Sequence, residues 1–211
     1  MASNLALVVK LLACLLILKT VAVVLANFPD YFPPDFRSDF LLGREEYFFS
    51  WYRCAFYVHI LSGPFTLIAG LFLLSETMRK RFPKWHRRVG RVQVATILLL
   101  LTPSGLAMAW HAATGRIATC GFAVLAVFTA ICVLQGWRNA VQQRFQHHRQ
   151  WMLRCYVLLC SAVVLRVIGG ISQTYGIEWT YSYAAWVSWL VPIAILEILF
   201  RASPATPRQT T

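Results

Sequence analysis

Acidic side chains are scarce in this chain, with eight Asp and Glu against twenty Lys and Arg in 211 residues. Five of them, Asp30, Asp35, Asp39, Glu45 and Glu46, crowd into one stretch, so no apolar run carries the paired carboxylates that general acid and base work requires. Also absent are a G-x-S-x-G nucleophile elbow, an H-E-x-x-H zinc motif and a phosphate-cradling glycine loop, which removes the common signatures of hydrolases, metalloproteases and nucleotide enzymes. None of the six cysteines forms a C-x-x-C, which argues against a zinc site and a redox pair. At most the chain would be a component of an oxidoreductase. There is no low-complexity tract, no linker and no sign of a second domain.

Charge of either sign is sparse: 13% of residues are charged and 58% hydrophobic, with mean hydropathy +0.58, against roughly 25% charged in an ordinary soluble domain. The composition is that of a membrane protein. A net charge of +12 would suit nucleic acid only if the basic residues shared one solvated face, and here they punctuate apolar runs instead, so no nucleic-acid partner is expected.

Six such runs approach the roughly 20 residues that cross about 30 Å of hydrocarbon. They lie at Leu5 to Phe28, Cys54 to Leu74, Val92 to His111, Ile117 to Trp137, Met152 to Gln173 and Tyr183 to Phe200. The expected fold is all-α, one membrane-embedded domain over 1–211 built as a six-transmembrane-helix bundle. Its partners are first of all the lipid bilayer and anionic phospholipids. The second and fourth connections hold Arg79, Lys80, Arg81, Lys84, Arg87, Arg88 and Arg91, and then Arg138, Arg144 and Arg149, with Arg154 just inside the next helix. Short basic loops stay cytoplasmic, which places both termini there too. The acidic, aromatic segment NFPDYFPPDFRSDFLLGREEYFF then lies on the outer interface, its prolines barring a long regular helix.

The first run is read as a retained helix rather than a signal peptide. It lacks a basic amino end and a small-residue cleavage site, and its apolar core is longer than usual. Lys10 can snorkel to the inner interface, whereas Lys19 falls near mid-span and calls for a polar partner inside the bundle or a neutral amine. Cys54 and Cys120 fall near the outer ends of their helices, within the geometric possibility of a disulfide, but both are expected to stay unbridged.

Polar residues inside the runs point toward function. His59 lies near the outer end of the second run and His111 ends the third, so the two are expected at one depth on neighbouring antiparallel helices. At about 100° per residue, His59, Gly63, Thr66 and Gly70 share one face, and Ser104, Ala107 and His111 share another. Faces of small residues let helices approach closely and also leave a slot for a flat ligand. Gly63-Pro64 and Pro103-Ser104-Gly105 predict kinks at comparable depths. Two imidazoles across such a slot are the arrangement that ligates the iron of haem b, and Arg166, two turns from the outer end of the fifth run, would then meet a propionate. The plain alternative has both rings hydrogen-bonded to backbone or hydroxyl groups and Arg166 snorkelling outward.

Two inner motifs share a recipe, PKWHRRVGR at 83 to 91 and HHRQWMLR at 147 to 154. Each sets arginines and a tryptophan anchor at the cytoplasmic interface, which suits binding of anionic headgroups or a partner by His86, Arg87, His148, Arg149, Trp151 and Arg154. His86 and His148 can be read instead as a second haem pair, but on an unbroken helix His86 and His111 are separated by about 37 Å of rise, too far for rapid transfer between haems there. Glu197 is within reach of one of those arginines or of Lys10.

Y-V-H-I-L-S-G, W-H-R-R-V-G-R, H-R-Q-W-M-L-R and a later L-R, in that order over Tyr57 to Arg166, resemble a bacterial family of predicted membrane proteins named domain of unknown function twenty-three-oh-six. Its pattern falls on His59, Gly63, His86, Arg87, Gly90, His148, Arg149, Trp151, Met152, Arg154 and Arg166, within a family-like core of about 54–173. The resemblance implies a multi-pass protein of the bacterial inner membrane and no particular activity. The chain is also loosely similar to transmembrane cytochromes b, a likeness at fold level only. Three function classes remain open. One is electron transfer through haem b held by His59, His111 and Arg166, with a quinone or redox protein as partner. Another is a non-redox lipid- or partner-binding subunit. The last is a polar-solute or proton-coupled transporter using Lys19, His59, Arg166 and Glu197.

Overall fold

A computed structural model describes residues 2–38, 40–112, 114–177 and 180–202. Six long helices account for the apolar runs: α1 Ala2–Ala26, α2 Glu45–Leu74, α3 Pro83–Trp110, α4 Arg116–Val141, α5 Phe145–Thr174 and α6 Thr180–Ala202. All six are long and apolar enough to cross a bilayer. One end of the bundle bears the 27–44 segment, here the loop end. The other bears the short helix Glu76–Arg81 and the 142–144 turn, here the basic end.

α3 and α5 begin well before their apolar runs. Pro83 occupies the first turn of α3, where its missing N–H costs nothing, and the PKWHRRVGR residues simply continue the ladder inward. HHRQWMLR likewise forms the first turns of α5. In lipid a backbone must satisfy its own polar groups, so the helix extends through the interface rather than stopping at the edge of the apolar stretch.

Prolines act differently in the two places where kinks were expected. α2 stays helical through Pro64. In α3 the Ile97–Leu101 stretch widens into a π-turn just ahead of Pro103, which makes room for a residue that has no N–H and whose ring crowds the preceding carbonyls. Ser104 Oγ then donates back to the Leu100 carbonyl at 2.6 Å, re-satisfying part of the disturbed ladder. α5 breaks at Cys160 into Phe145–Leu159 and Ser161–Thr174.

Small residues set the helix spacing. A Cβ on Gly136 would lie 2.5 Å from Met152 Sδ, and one on Gly121 would lie 3.0 Å from Trp186 Nε1, so α4 closes on α5 and α6 only because these positions are glycine. Leu67, Ile97, Val133, Cys155, Leu158 and Trp189 fill the central core. Tyr31, Leu41, Phe48, Tyr52 and Phe56 form a second core under the 27–44 segment. All six cysteines are free. Lys19 is exposed on the outer side of α1 rather than turned into the bundle, because the inward face of that part of the helix is taken by Ile17, Thr20 and Val21.

Candidate functional site

The loop-end half of the bundle encloses a cavity of about 550 Å³ bordered by residues of all six helices. Most of its lining is apolar, and His59, Gly63, His111 and Arg166, the four residues expected around an outer ligand, all border it. Arg44, on the approach to α2, borders it too and escaped the sequence reading.

His59 is seated by α3. Gly105 faces it closely enough that a Cβ there would lie 3.3 Å from the ring Cε1. Its Nδ1 lies 3.2 Å from Ser104 Oγ. A hydroxyl has one hydrogen; with it given to the nearer Leu100 carbonyl, Ser104 accepts Nδ1–H and the Nε2 side of a neutral ring carries the lone pair. An imidazole fixed through Nδ1 with Nε2 left basic is the form that ligates a metal.

His111 is held elsewhere. Its ring stacks on Tyr47 with centroids 4.1 Å apart at 11°, meets Tyr52 edge-on at 5.5 Å and tilts against Trp51 at 5.3 Å. The residues that seat His59 precede His111 by six and seven positions on α3, so the two imidazoles differ in depth by about 9–10 Å. The common level expected from the ends of the apolar runs is not what the helices give, because His59 leans toward Ser104 while His111 turns out to the aromatic cluster.

Arg44 ties that cluster together. Its Nε donates to the Phe40 carbonyl at 2.6 Å, its Nη1 reaches Tyr47 Oη at 2.9 Å and the His111 carbonyl at 3.3 Å, and the guanidinium sits 4.7 Å from the Phe40 centroid. Arg166 Nη1 donates to the Ala162 carbonyl one turn back at 3.0 Å. Among the described residues neither arginine has an ion-pair partner, and no Asp or Glu borders the cavity. The Gly63 side of the wall is open, since a Cβ there would meet nothing within 4 Å.

A second cavity of about 290 Å³ opens at the basic end. His86, Arg87 and His148 border it, as do Arg91, Gln93 and Met152. His148 Nδ1 donates to the Gly136 carbonyl at 2.8 Å, and Gln93 Nε2 donates to the Thr66 carbonyl at 2.9 Å. The rest of the inner motif lies apart. Arg149 is exposed and does not border the cavity. Arg154 makes a two-pronged ion pair with Glu197, at 2.5 Å and 3.0 Å, with its guanidinium between Trp151 at 4.9 Å and Phe200 at 5.0 Å.

Buried polar atoms rarely go without a partner. Four do so here among the described residues: Thr102 Oγ1, Ser188 Oγ, His86 Nδ1 and Gln93 Oε1. The first two border the loop-end cavity and the others border the basic-end cavity. Among the described residues no three His, Cys, Asp or Glu side chains gather to hold a bare metal ion. A family model described as predicted membrane protein, DUF2306, matches residues 56–200. No curated protein and no solved structure matches the chain.

Proposed function

We infer that this chain, which belongs to the DUF2306 family of predicted membrane proteins, is a ligand-binding membrane protein whose loop-end cavity holds an apolar molecule by its anionic group. The observation that carries this reading is a cavity bordered by two guanidiniums, Arg44 and Arg166, with no carboxylate among its described lining residues and an apolar lining elsewhere. Arg44 is half-buried and Arg166 exposed at the chamber's edge; a cation facing an apolar chamber at membrane depth is costly without a counter-ion, and a ligand carboxylate would lower that cost through charge-assisted hydrogen bonds. Thr102 and Ser188 offer two more hydrogen-bonding groups to the same guest.

In its most specific form the ligand is haem b. The residues fit it: His59 presents the Nε2 lone pair, and Arg166 and Arg44 suit the propionates. Bound haem would supply one-electron chemistry, with a quinone or a redox protein at the bacterial inner membrane as the exchange partner. His59 serves as the iron ligand in this reading, while His111 remains in its stack with Tyr47 and closes the loop end of the chamber.

The test is an optical spectrum of the detergent-purified protein together with mass spectrometry of an organic extract. A Soret band that is lost in His59→Ala and kept in His111→Ala is the expected result for haem. An extract that yields an acidic lipid and no pigment keeps the anionic-ligand reading and removes haem. An extract with neither ligand, from wild type and from Arg166→Ala alike, ends both.

A further inference from the structure

We propose that the basic-end cavity binds the head group of a membrane hydroquinone, a single apolar ring with a hydroxyl at each end. The argument is independent of what the loop-end cavity holds. It starts from which hydrogen-bonding groups are already spoken for. Gln93 is almost fully buried, at 1% exposure, and gives its amide hydrogens to the Thr66 carbonyl, so the Oε1 left without a partner is an acceptor and only an acceptor. His148 gives Nδ1–H to the Gly136 carbonyl, which leaves a lone pair at Nε2 of the neutral ring. His86 Nδ1 is buried and unpartnered beside them. Arg87 and Arg91 supply donors on the chamber's border, but Gln93 Oε1 and His148 Nε2 are acceptors, and a guest that completes those two must bring O–H groups.

Geometry sets the size of that guest. Gln93 stands seven residues beyond His86 on α3, a rise of about 10 Å. That is the length of a six-membered ring bearing two opposed hydroxyls, with a hydrogen bond of about 2.7 Å at each end. The rest of the lining is largely apolar, with Leu73, Val94, Trp137 and Met152, while Tyr156 packs directly on Gly70 and closes that side. A chamber of about 290 Å³ admits one ring, and an isoprenoid tail would leave past Leu73 and Leu74 into lipid. Arg87 and Arg91 border the same chamber, and an anionic lipid headgroup is the rival guest they suggest. A phosphate would engage Arg87 and Arg91 but has no hydrogen to give Gln93 Oε1 or His148 Nε2, whereas a hydroxyl donates to them directly.

The experiment measures equilibrium binding of decyl-hydroquinone, its dimethyl ether and phosphatidylglycerol to the full chain in phosphatidylcholine nanodiscs. The ether keeps the ring and tail, adds one methyl at each oxygen and has no donor. Wild type is expected to bind the hydroquinone at least tenfold more tightly than the ether, and Gln93→Met is expected to remove that preference. Equal binding of the two by wild type overturns the proposal, and because it needs no variant this arm does not depend on whether Gln93→Met folds. Salt-sensitive displacement of the hydroquinone by phosphatidylglycerol also overturns it, since the chamber would then be a headgroup site.

Discussion

Arg154 shows how much one residue can be constrained in this bundle. Its guanidinium meets both oxygens of Glu197 and is covered on its two faces by Trp151 and Phe200. The sequence left Glu197 with several candidate partners, and only the packing of α5 on α6 chooses among them. Arg154 is therefore committed to structure and is withdrawn from the headgroup role that its motif suggested. Removing one member leaves a charge with its partner gone, so Arg154→Met is expected to cost about 1.5–3 kcal/mol, while Arg154→Met with Glu197→Leu recovers most of the loss. Thermal unfolding in detergent of the two single variants and the double variant measures the coupling. A double variant no more stable than the worse single variant would mean that the pair contributes little.

At the scale of elements, hydropathy located every long helix, because 20 apolar residues have few other uses. It placed the amino ends of α3 and α5 too late, because basic interfacial turns are polar yet still helical. The depth of His59 was the part it could not give. That depth depends on which α3 residues lie opposite α2, and the π-turn at Ile97–Leu101 shifts the phase of everything after it. Pro103→Ala removes the reason for the wide turn. If the ladder closes to ordinary spacing, the later residues rotate by about one helical step of 100° and Ser104 leaves His59. The expected outcome is a folded protein of near-normal melting temperature that has lost its loop-end ligand. The short helix Glu76–Arg81 offers a test outside the bilayer. Ser75 Oγ accepts from the Met78 N–H at 3.3 Å, and Glu76 pairs with Lys80 at 3.0 Å. Hydrogen bonding and charge from Lys80, with Arg79 behind, hold the Glu76 carboxyl below the usual range. A depressed carboxyl stabilises above its unfolded value and loses that contribution as pH falls through the folded one. Amide protection factors over 76–81, which remove the intrinsic pH dependence of exchange, should therefore fall on acidification in wild type, be lower already at neutral pH in Ser75→Ala by the loss of a cap, roughly 1 kcal/mol, and lose their pH response in Glu76→Gln.

At the scale of the molecule, the arginines and lysines at the Glu76–Arg81 end predict, by the bias of short basic loops, that this end and both termini face the cytoplasm. Single cysteines introduced into an otherwise cysteine-free chain test this. An impermeant maleimide applied to intact cells or right-side-out vesicles should modify Ser38→Cys at once and Lys80→Cys only after permeabilisation. The opposite pattern would invert the bundle and put the loop-end cavity on the cytoplasmic side.

The amino-terminal helix lies outside residues 56–200 and is the least buried of the six, yet Thr20, Val21 and Val24 form one side of the larger chamber. Of all the panels around that room it is the one that swings aside with the smallest loss of contact. An oily guest passing between the bilayer and the interior would meet the least packing on that side.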